Sequence, residues 1–368
     1  MNQHTVIIIG TGFGGQCAAI NLLKRGINDF VMLERRSFMG GTWCQNTYPG
    51  AAVDVQSPLY SLSFEPYQWT QLFAEQDELN EYTTYVIDKH TLRQKAVLNT
   101  NVDEVRWDDD AKRWNIKTNN GTFSCQFLIN ASGPLSTPVI PGFKGKDTFA
   151  GESFHTNNWN HDFDYRGRRV AVIGSGASAA QVIPAVAPDA SKLHVFQRTP
   201  HWVLPRPDKI FTAFQRKLLR VNWIYKLLRW IIYWTLEYRV IGFKYSKFFL
   251  KLIGQREAER FIKKSIKDKE LRKKVTPDFT LGCKRVILSS TLYSTYEQEN
   301  VHLHVRDEGV KEITPKGVIT QKGEEIELDL IVYATGYDAT DGVISYPVYG
   351  KNGKPIQEVW DPFPRAYL

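Results

Sequence analysis

The strongest constraint on this chain is a duplication. TVIIIGTGFGGQCAAINLLKRG reads as a buried strand, a glycine turn and a helix, with a second strand at DFVMLE. RRVAVIGSGASAAQVIPAVA followed by KLHVFQR repeats that order, and the leading glycines, Gly10 and Gly174, stand 164 residues apart. Two strand–turn–helix–strand units require parallel sheets with helices on both faces. The expected fold is therefore α/β, with two Rossmann-like dinucleotide-binding domains.

In GTGFGG, the run Gly10, Gly12, Phe13 and Gly15 fits GxGxxG. The first glycine allows the tight turn and the second lets the backbone approach a pyrophosphate. The third permits close helix–strand packing, with the helix N-terminus facing the phosphates. Glu34, 24 residues after Gly10 and followed by Arg35, suits hydrogen bonds to both ribose hydroxyls of an ADP moiety. The second turn offers Gly174, Ser175, Gly176, Ala177, Ser178 and Ala179. Counting the same 24 residues from Gly174 reaches Arg198, beside Thr199. A carboxylate repels a ribose 2′-phosphate, whereas a guanidinium binds it through paired hydrogen bonds. The first site should prefer a cofactor with a free 2′-hydroxyl, FAD or NAD, and the second NADP(H). A resident flavin with a mobile NADPH makes a flavoprotein oxidoreductase.

Between the two units, VLNTNVDEVRWDDDAKRWNIKTNNGTFSCQFLINASG alternates apolar and polar residues around an Asn-Gly turn and predicts an antiparallel meander. Residues 311–334 read as a hairpin feeding a buried strand before TGYD. The four cysteines form no CxxC pair, which argues against a redox dithiol, a zinc ribbon or a disulfide scaffold and fits a reducing, cytoplasmic compartment. No His/Cys/Asp cluster points to a metal. MNQH runs straight into TVIIIG without a basic region or a long apolar run, so no signal peptide is expected.

Charge is concentrated in one segment. Residues 201–280 hold 20 Lys and Arg against seven Asp and Glu, a local +13 in a chain of net +8, so a nucleic-acid-binding surface is not implied. Within that segment, FTAFQRKLLRVNWIYKLLRWIIYWTLEYRVIGFKYSKFFLKL is aromatic and basic at helical spacing. Its uncharged run after Arg229, Trp230–Leu236, is too short to span a bilayer. Either it is a helical insertion packed on the second nucleotide domain, the preferred reading because Trp and Tyr also fill cores, or it lies on an anionic membrane as a peripheral helix.

The stretch FAGESFHTNNWN, which no helix or strand period explains, leads to a family. Phe149, Gly151, His155 and Trp159 fit FxGxxxHxxxW, and GGTWCQNTYPGAAVD fits [A/G]GxWxxxx[F/Y]P[G/M]xxxD. With FQRTP, GCKRVILSS and LIVYATGYDA, the whole chain resembles the Baeyer–Villiger monooxygenases. The resemblance implies an FAD- and NADPH-dependent enzyme that uses O₂ to convert a small hydrophobic ketone to an ester or lactone through a flavin C4a-peroxide. It implies Gly41, Thr42, Trp43, Asp54 and Tyr60 along FAD, and Val102, which carries no motif, at the adenine. Lys284 would join Arg198 and Thr199 at the 2′-phosphate. Arg285 would be the active-site arginine beside the flavin, with Asp54 as its carboxylate partner. The chemistry agrees: a peroxide anion and an oxyanionic adduct need a fixed positive charge, and arginine keeps its charge when buried. His155, placed between the domains, is read as coupling their positions without acid–base chemistry; His201 and His90 are given no role.

The expected organisation is an FAD domain at 1–140, an NADP domain at 141–205 and 275–310, the basic helical insertion at 206–274, and an incomplete return to the FAD domain at 311–368. Three departures from the family pattern stand out. Asn160 replaces a Pro or Asp, Thr47 and Ala52 replace arginines, and relatives continue beyond WDPFPRAYL with a segment that closes over the flavin. The alternatives are an N- or S-oxygenating flavin monooxygenase, whose fingerprint has Tyr or Phe at the place of Trp159, and a truncated, non-catalytic NADPH-binding fragment.

Overall fold

The structure, a computed structural model, describes residues 2–245, 254–338 and 344–361. The chain divides into two compact units, 1–45 with 79–137 and 337–368, and 46–78 with 138–336.

In the first unit, a seven-stranded sheet has the order β17-β4-β5-β6-β1-β2-β3. Its strands are β1 (Asn2–Ile9), β2 (Phe30–Leu33), β3 (Ala96–Val97), β4 (Val102–Asp108), β5 (Arg113–Thr118), β6 (Gly121–Asn130) and β17 (Val348–Tyr349). β1 pairs in parallel with both β2 and β6. Such a central position explains its unbroken apolar run, since both faces are covered. β4, β5 and β6 form the expected antiparallel meander, with Trp107 set edge-on to its cross-strand partner Trp114. Helix α1 (Phe13–Lys24) follows β1, α2 (Thr42–Gln45) follows the second glycine pair, and α3 (Gln76–Lys89) spans the division at 78/79.

The second unit holds a five-stranded parallel sheet of order β12-β9-β8-β16-β7. Its strands are β7 (Glu152–His155), β8 (Arg169–Ile173), β9 (Lys192–Gln197), β12 (Val301–Val305) and β16 (Leu330–Tyr333). Two further pieces belong here: the pair β10 (Val203–Leu204) with β11 (Ile287–Leu288), and an antiparallel sheet of β13 (Val310–Thr314), β14 (Gly317–Thr320) and β15 (Glu325–Glu327). Helix α4 (Ala177–Val186) follows β8. α5 (Ala213–Leu218), α6 (Asn222–Tyr245) and helices Arg256–Ser265 and Lys269–Val275 make the 206–274 segment a helical insertion in this unit, with 246–253 outside the described residues.

The domain boundaries need correction at two places. Residues 311–336 belong to the second unit: β16 pairs with β7 and β8 at the heart of its sheet and is fully buried. Residues 46–78 also fall in the second unit, so GGTWCQNTYPGAAVD is divided after Gln45. The reason is a duplication fuller than the glycine motifs reveal. β6 beside β1 ends in Ala131-Ser132-Gly133, and β16 beside β8 ends in Ala334-Thr335-Gly336. Both triplets end in a glycine of positive φ, Gly133 at 75° and Gly336 at 83°. The ATG strand is thus the second unit's counterpart of ASG in the first.

Candidate functional site

Each glycine turn is built against the end of that returning strand. Gly10 has φ 100° and a Cβ there would strike the Ala131 carbonyl; Gly174 has φ 140° and a Cβ would strike that of Ala334. Both positions thus exclude side chains sterically, and their positive φ favours glycine as well. Gly15 is needed for contact, since a Cβ would collide with the Gly10 carbonyl, whereas Ala179 fits fully buried in the second unit.

The two helices that begin there, α1 and α4, have glycine N-caps (Gly12 and Gly176), no side-chain cap and no acid in the first turn. α5 is capped by Thr212, by contrast, and helix Lys269–Val275 by Asp268. Uncapped N-termini leave backbone N–H groups directed at an anion. At Gly176 a Cβ would meet nothing within 4 Å, so the space over the α4 N-terminus is open, as a pyrophosphate requires. In the first unit a Cβ on Gly41 (φ 69°) would lie 2.7 Å from Gly12 Cα, so the GGTW turn lies backbone to backbone on the glycine loop. Trp43 is half-buried on α2, and Phe13 sets its ring edge-on to Tyr82 at 5.8 Å. These features fit a dinucleotide cofactor in each unit.

Glu34 follows β2, is 6% exposed, and is held in place. One carboxylate oxygen accepts from Thr11 N (3.1 Å) and Thr11 Oγ1 (2.7 Å), the other from Arg36 N (3.1 Å). Arg35 Nη2 donates to the Ser136 carbonyl at 2.6 Å. Val102 is buried in the apolar core with Ile9 and Leu33, a packing role that the resemblance did not indicate.

The match between Glu34 and Arg198 is off by one. Ile9, just before Gly10, pairs with Leu33, and Ile173, just before Gly174, pairs with Phe196. The residue equivalent to Glu34 is therefore Gln197, and Arg198 corresponds to Arg35. Gln197 is buried, donates to the Lys274 carbonyl at 3.1 Å, and places no carboxylate at this point. Arg198 is exposed, and the Thr199 carbonyl accepts from Ser175 Oγ at 2.8 Å, tying the two loops of the second site together. Arg306, which the sequence did not single out, donates from Nε to the Arg198 carbonyl at 3.4 Å and adds a cation there. Lys284 is exposed, its ammonium 5.0 Å from the centre of the Phe279 ring.

YPGAAVD is fixed to α4. Tyr48 donates from its hydroxyl to Gln181 Oε1 at 2.8 Å, Gln181 Nε2 donates to the Ala52 carbonyl at 2.8 Å, and a Cβ on Gly50 (φ 79°) would lie 2.6 Å from the Gln181 carbonyl. Burial pushes the Tyr48 hydroxyl pKa up. Ala52 is 6% exposed, so an arginine has no room there, while Thr47 Oγ1 meets His161 Nε2 at 2.7 Å. A few residues on, Asp54 accepts from Arg285 Nη2 in an ion pair, and Tyr60 is half-buried in the turn that follows. His201 is also part of this neighbourhood, beside the Arg285 backbone, and burial lowers its pKa. Only its position two residues after Thr199 could have signalled that.

The fingerprint residues all lie in the second unit. Gly151 is required because a Cβ would lie 2.6 Å from both the Phe149 ring and the Asp329 carbonyl. Trp159 is a core residue, edge-on to Phe154 at 4.9 Å. His155 is 2% exposed; its Nδ1 accepts from Asn157 N at 3.0 Å, so Nε2 carries the proton and donates to the Gly336 carbonyl at 3.1 Å. Burial lowers its pKa, which keeps the ring neutral. Gly336 is the last residue of this unit before the chain re-enters the first. Asn160 serves as the turn former in place of Pro or Asp: Oδ1 accepts from Asp162 N (3.0 Å), and Nδ2 donates to Glu152 Oε1 (3.1 Å).

Comparison with known proteins agrees with this geometry. Residues 7–212 match the family model described as pyridine nucleotide-disulphide oxidoreductase. The chain is 41% identical over 365 residues to a Baeyer–Villiger monooxygenase of Pseudomonas aeruginosa, covering 98% of this chain and 69% of that one. The chain belongs to the Baeyer–Villiger monooxygenase family. A Baeyer–Villiger monooxygenase of Streptomyces coelicolor is likewise 41% identical over 363 residues, covering 98% of this chain and 69% of its own. The crystal structure of OTEMO in complex with FAD and NADP superposes with a TM-score of 0.89 at 29% identity, covering 99% of this chain and 77% of that one. As a Baeyer–Villiger monooxygenase the chain is a flavin-dependent oxidoreductase whose cofactors are FAD and NADPH. Among the described residues no group of His, Cys, Asp or Glu could hold a metal ion, and no helix is long and apolar enough to cross a membrane.

Proposed function

We propose that the first unit holds FAD, the second holds NADPH, and Arg285 with Asp54 forms the charged centre at which a small hydrophobic ketone reacts with O₂ to give an ester or lactone. The observation that carries this reading is the ion pair between two residues that the family motifs select independently. Bound FAD supplies hydride acceptance from NADPH and the activation of O₂. The chain's own groups hold and orient. Glu34 receives the ribose hydroxyls of FAD, with Gly10, Gly12, Gly41, Thr42 and Trp43 around it. Arg198, Thr199 and Lys284 receive the 2′-phosphate of NADPH. Arg285 presents a fixed positive charge that stabilises negative charge as it develops on the reacting oxygens. Asp54 aims the guanidinium. His155, neutral and held on both ring nitrogens, fixes the end of β7 to Gly336 and transfers no proton. A reducing cytoplasm, with peripheral membrane contact through residues 206–274, is the setting that this reading assigns.

The test is product analysis with FAD, NADPH and O₂ over a panel of cyclic and linear ketones beside amines and sulfides. Ester or lactone formation supports the reading; N- or S-oxides alone overturn it.

A further inference from the structure

Helix α6 is apolar on two opposite faces. The inner one is pinned down: Tyr225 is 1% exposed and its hydroxyl accepts from Trp69 Nε1 at 3.0 Å. Arg229 Nη1 donates to the carbonyls of Pro58, Leu59 (3.2 Å) and Ser61 (3.2 Å). Ile232 is buried on the same side. The opposite face carries Trp223, Leu227, Trp230, Ile231, Trp234 and Tyr238, all exposed, with Trp223 at 67% and Tyr238 at 75%. At the helical period these six fall within about 100° of arc, in a stripe about 22 Å long. Single exposed apolar residues need no explanation, but a continuous stripe with three tryptophans marks a docking surface.

The charge beside the stripe identifies the occupant. Arg216, Lys217, Arg220 and Lys226 are exposed on α5, the turn and α6, while Glu237 is the one acid between residues 213 and 238. Trp and Tyr, apolar in body and polar at the tip, partition to the headgroup level of a bilayer, and flanking Lys and Arg are drawn to anionic lipid. A second copy would present the same flanking Arg and Lys and no complementary acidic surface, whereas an anionic lipid surface complements their charge. We infer that the outer face of α6 seats on an anionic lipid surface, with the helix lying in the interface plane. No described helix can cross the membrane, and none is needed. Because Arg229 and Tyr225 bind residues 58–69, shortly after Asp54, the docked helix holds the catalytic pair's own segment near a phase in which hydrophobic ketones dissolve.

The experiment is co-sedimentation of the whole chain with vesicles of phosphatidylcholine alone or with phosphatidylglycerol, at low and high salt, alongside sedimentation velocity without lipid. Binding should require phosphatidylglycerol and weaken with salt. It should fall about tenfold or more in Trp223→Ser/Trp230→Ser/Trp234→Ser and in Arg220→Glu/Lys226→Glu. All altered side chains are exposed, and unchanged thermal unfolding confirms that the variants fold. Absence of binding to anionic vesicles, binding that the tryptophan variant retains, or self-association that the tryptophan variant abolishes without vesicle binding each overturns the inference. Vesicle binding is read without flavin or NADPH, so its outcome is separate from that of the oxygenation assay.

Discussion

Arg285 and Asp54, 231 residues apart in the chain, form an ion pair through Nη2 and Oδ2. The Arg285 side chain is 66% exposed and that of Asp54 24%, and ion pairs so open to water add little to stability. Their pairing therefore serves position. Arg285→Ala should lower product formation about 100-fold or more, because a fixed charge in the site is lost, while thermal unfolding barely moves. Arg285→Lys should not restore it, since an ammonium lacks the planar fork that Asp54 orients. Undiminished ester formation in Arg285→Ala would remove this residue from the mechanism.

Arg198 offers an exposed guanidinium where Arg35 stands in the first unit, and Gln197 stands where the first unit has Glu34. Losing one charge-assisted bond weakens binding by about 1.5–3 kcal/mol, so Arg198→Ala should weaken NADPH about 10- to 150-fold and leave NADH nearly unchanged. Gln197→Glu should act in the same direction by repelling the 2′-phosphate. Titrations with both nucleotides check this; equal losses for NADPH and NADH would sink the assignment.

Local chemistry made the two glycine turns, the meander and the helical insertion legible in the sequence. GxGxxG needs its glycines wherever it occurs, and the alternation around Asn120-Gly121 has the period of a strand. Correspondences that depend on pairing were not legible. The second unit reaches the residue beside its first glycine one position sooner than the first, Phe196 against Leu33, so counting selected Arg198 in place of Gln197. The likeness of Ala131-Ser132-Gly133 to Ala334-Thr335-Gly336 is three residues long, too short to show that 311–336 completes the second unit until β16 is seen beside β8. His201 and Arg306 gain significance only from neighbours distant in the chain.

Gly41 tests the cradle of the first unit. Alanine there must hold φ near 69°, a left-handed conformation, with its Cβ 2.7 Å from Gly12 Cα. Strain of this kind amounts to about 1–3 kcal/mol, and the contact displaces the glycine loop itself. Gly41→Ala should lower the unfolding midpoint and reduce flavin retention, read as flavin absorbance per chain. Gly26→Ala is the control: its φ is also positive at 74°, but a Cβ there meets nothing within 4 Å. It should share part of the stability loss and keep the flavin. Equal flavin content in wild type and Gly41→Ala would show that the cradle is not where FAD binds.

On β9 and β12, His194 Nδ1 lies 3.0 Å from His304 Nε2, with their rings stacked at 5.3 Å. One ring must donate and the other accept, so the two rings cannot both be protonated while the bond is kept. Burial, followed by the neighbouring His304, His302 and Lys192, pushes the His194 pKa down to about 3, and burial also lowers that of His304. Below pH 6.5 the unfolded chain binds protons that these folded rings refuse, so the unfolded state holds more protons and stability rises with pH. The contribution of the pair is complete above about pH 6.5 and is lost progressively as pH falls toward 3. His194→Phe, beside Phe196 on the same strand, removes one titration and should flatten the dependence of unfolding free energy on pH between 6.5 and 4. Urea unfolding at several pH values measures it; an unchanged slope would show that the histidine pair has no part in acid sensitivity.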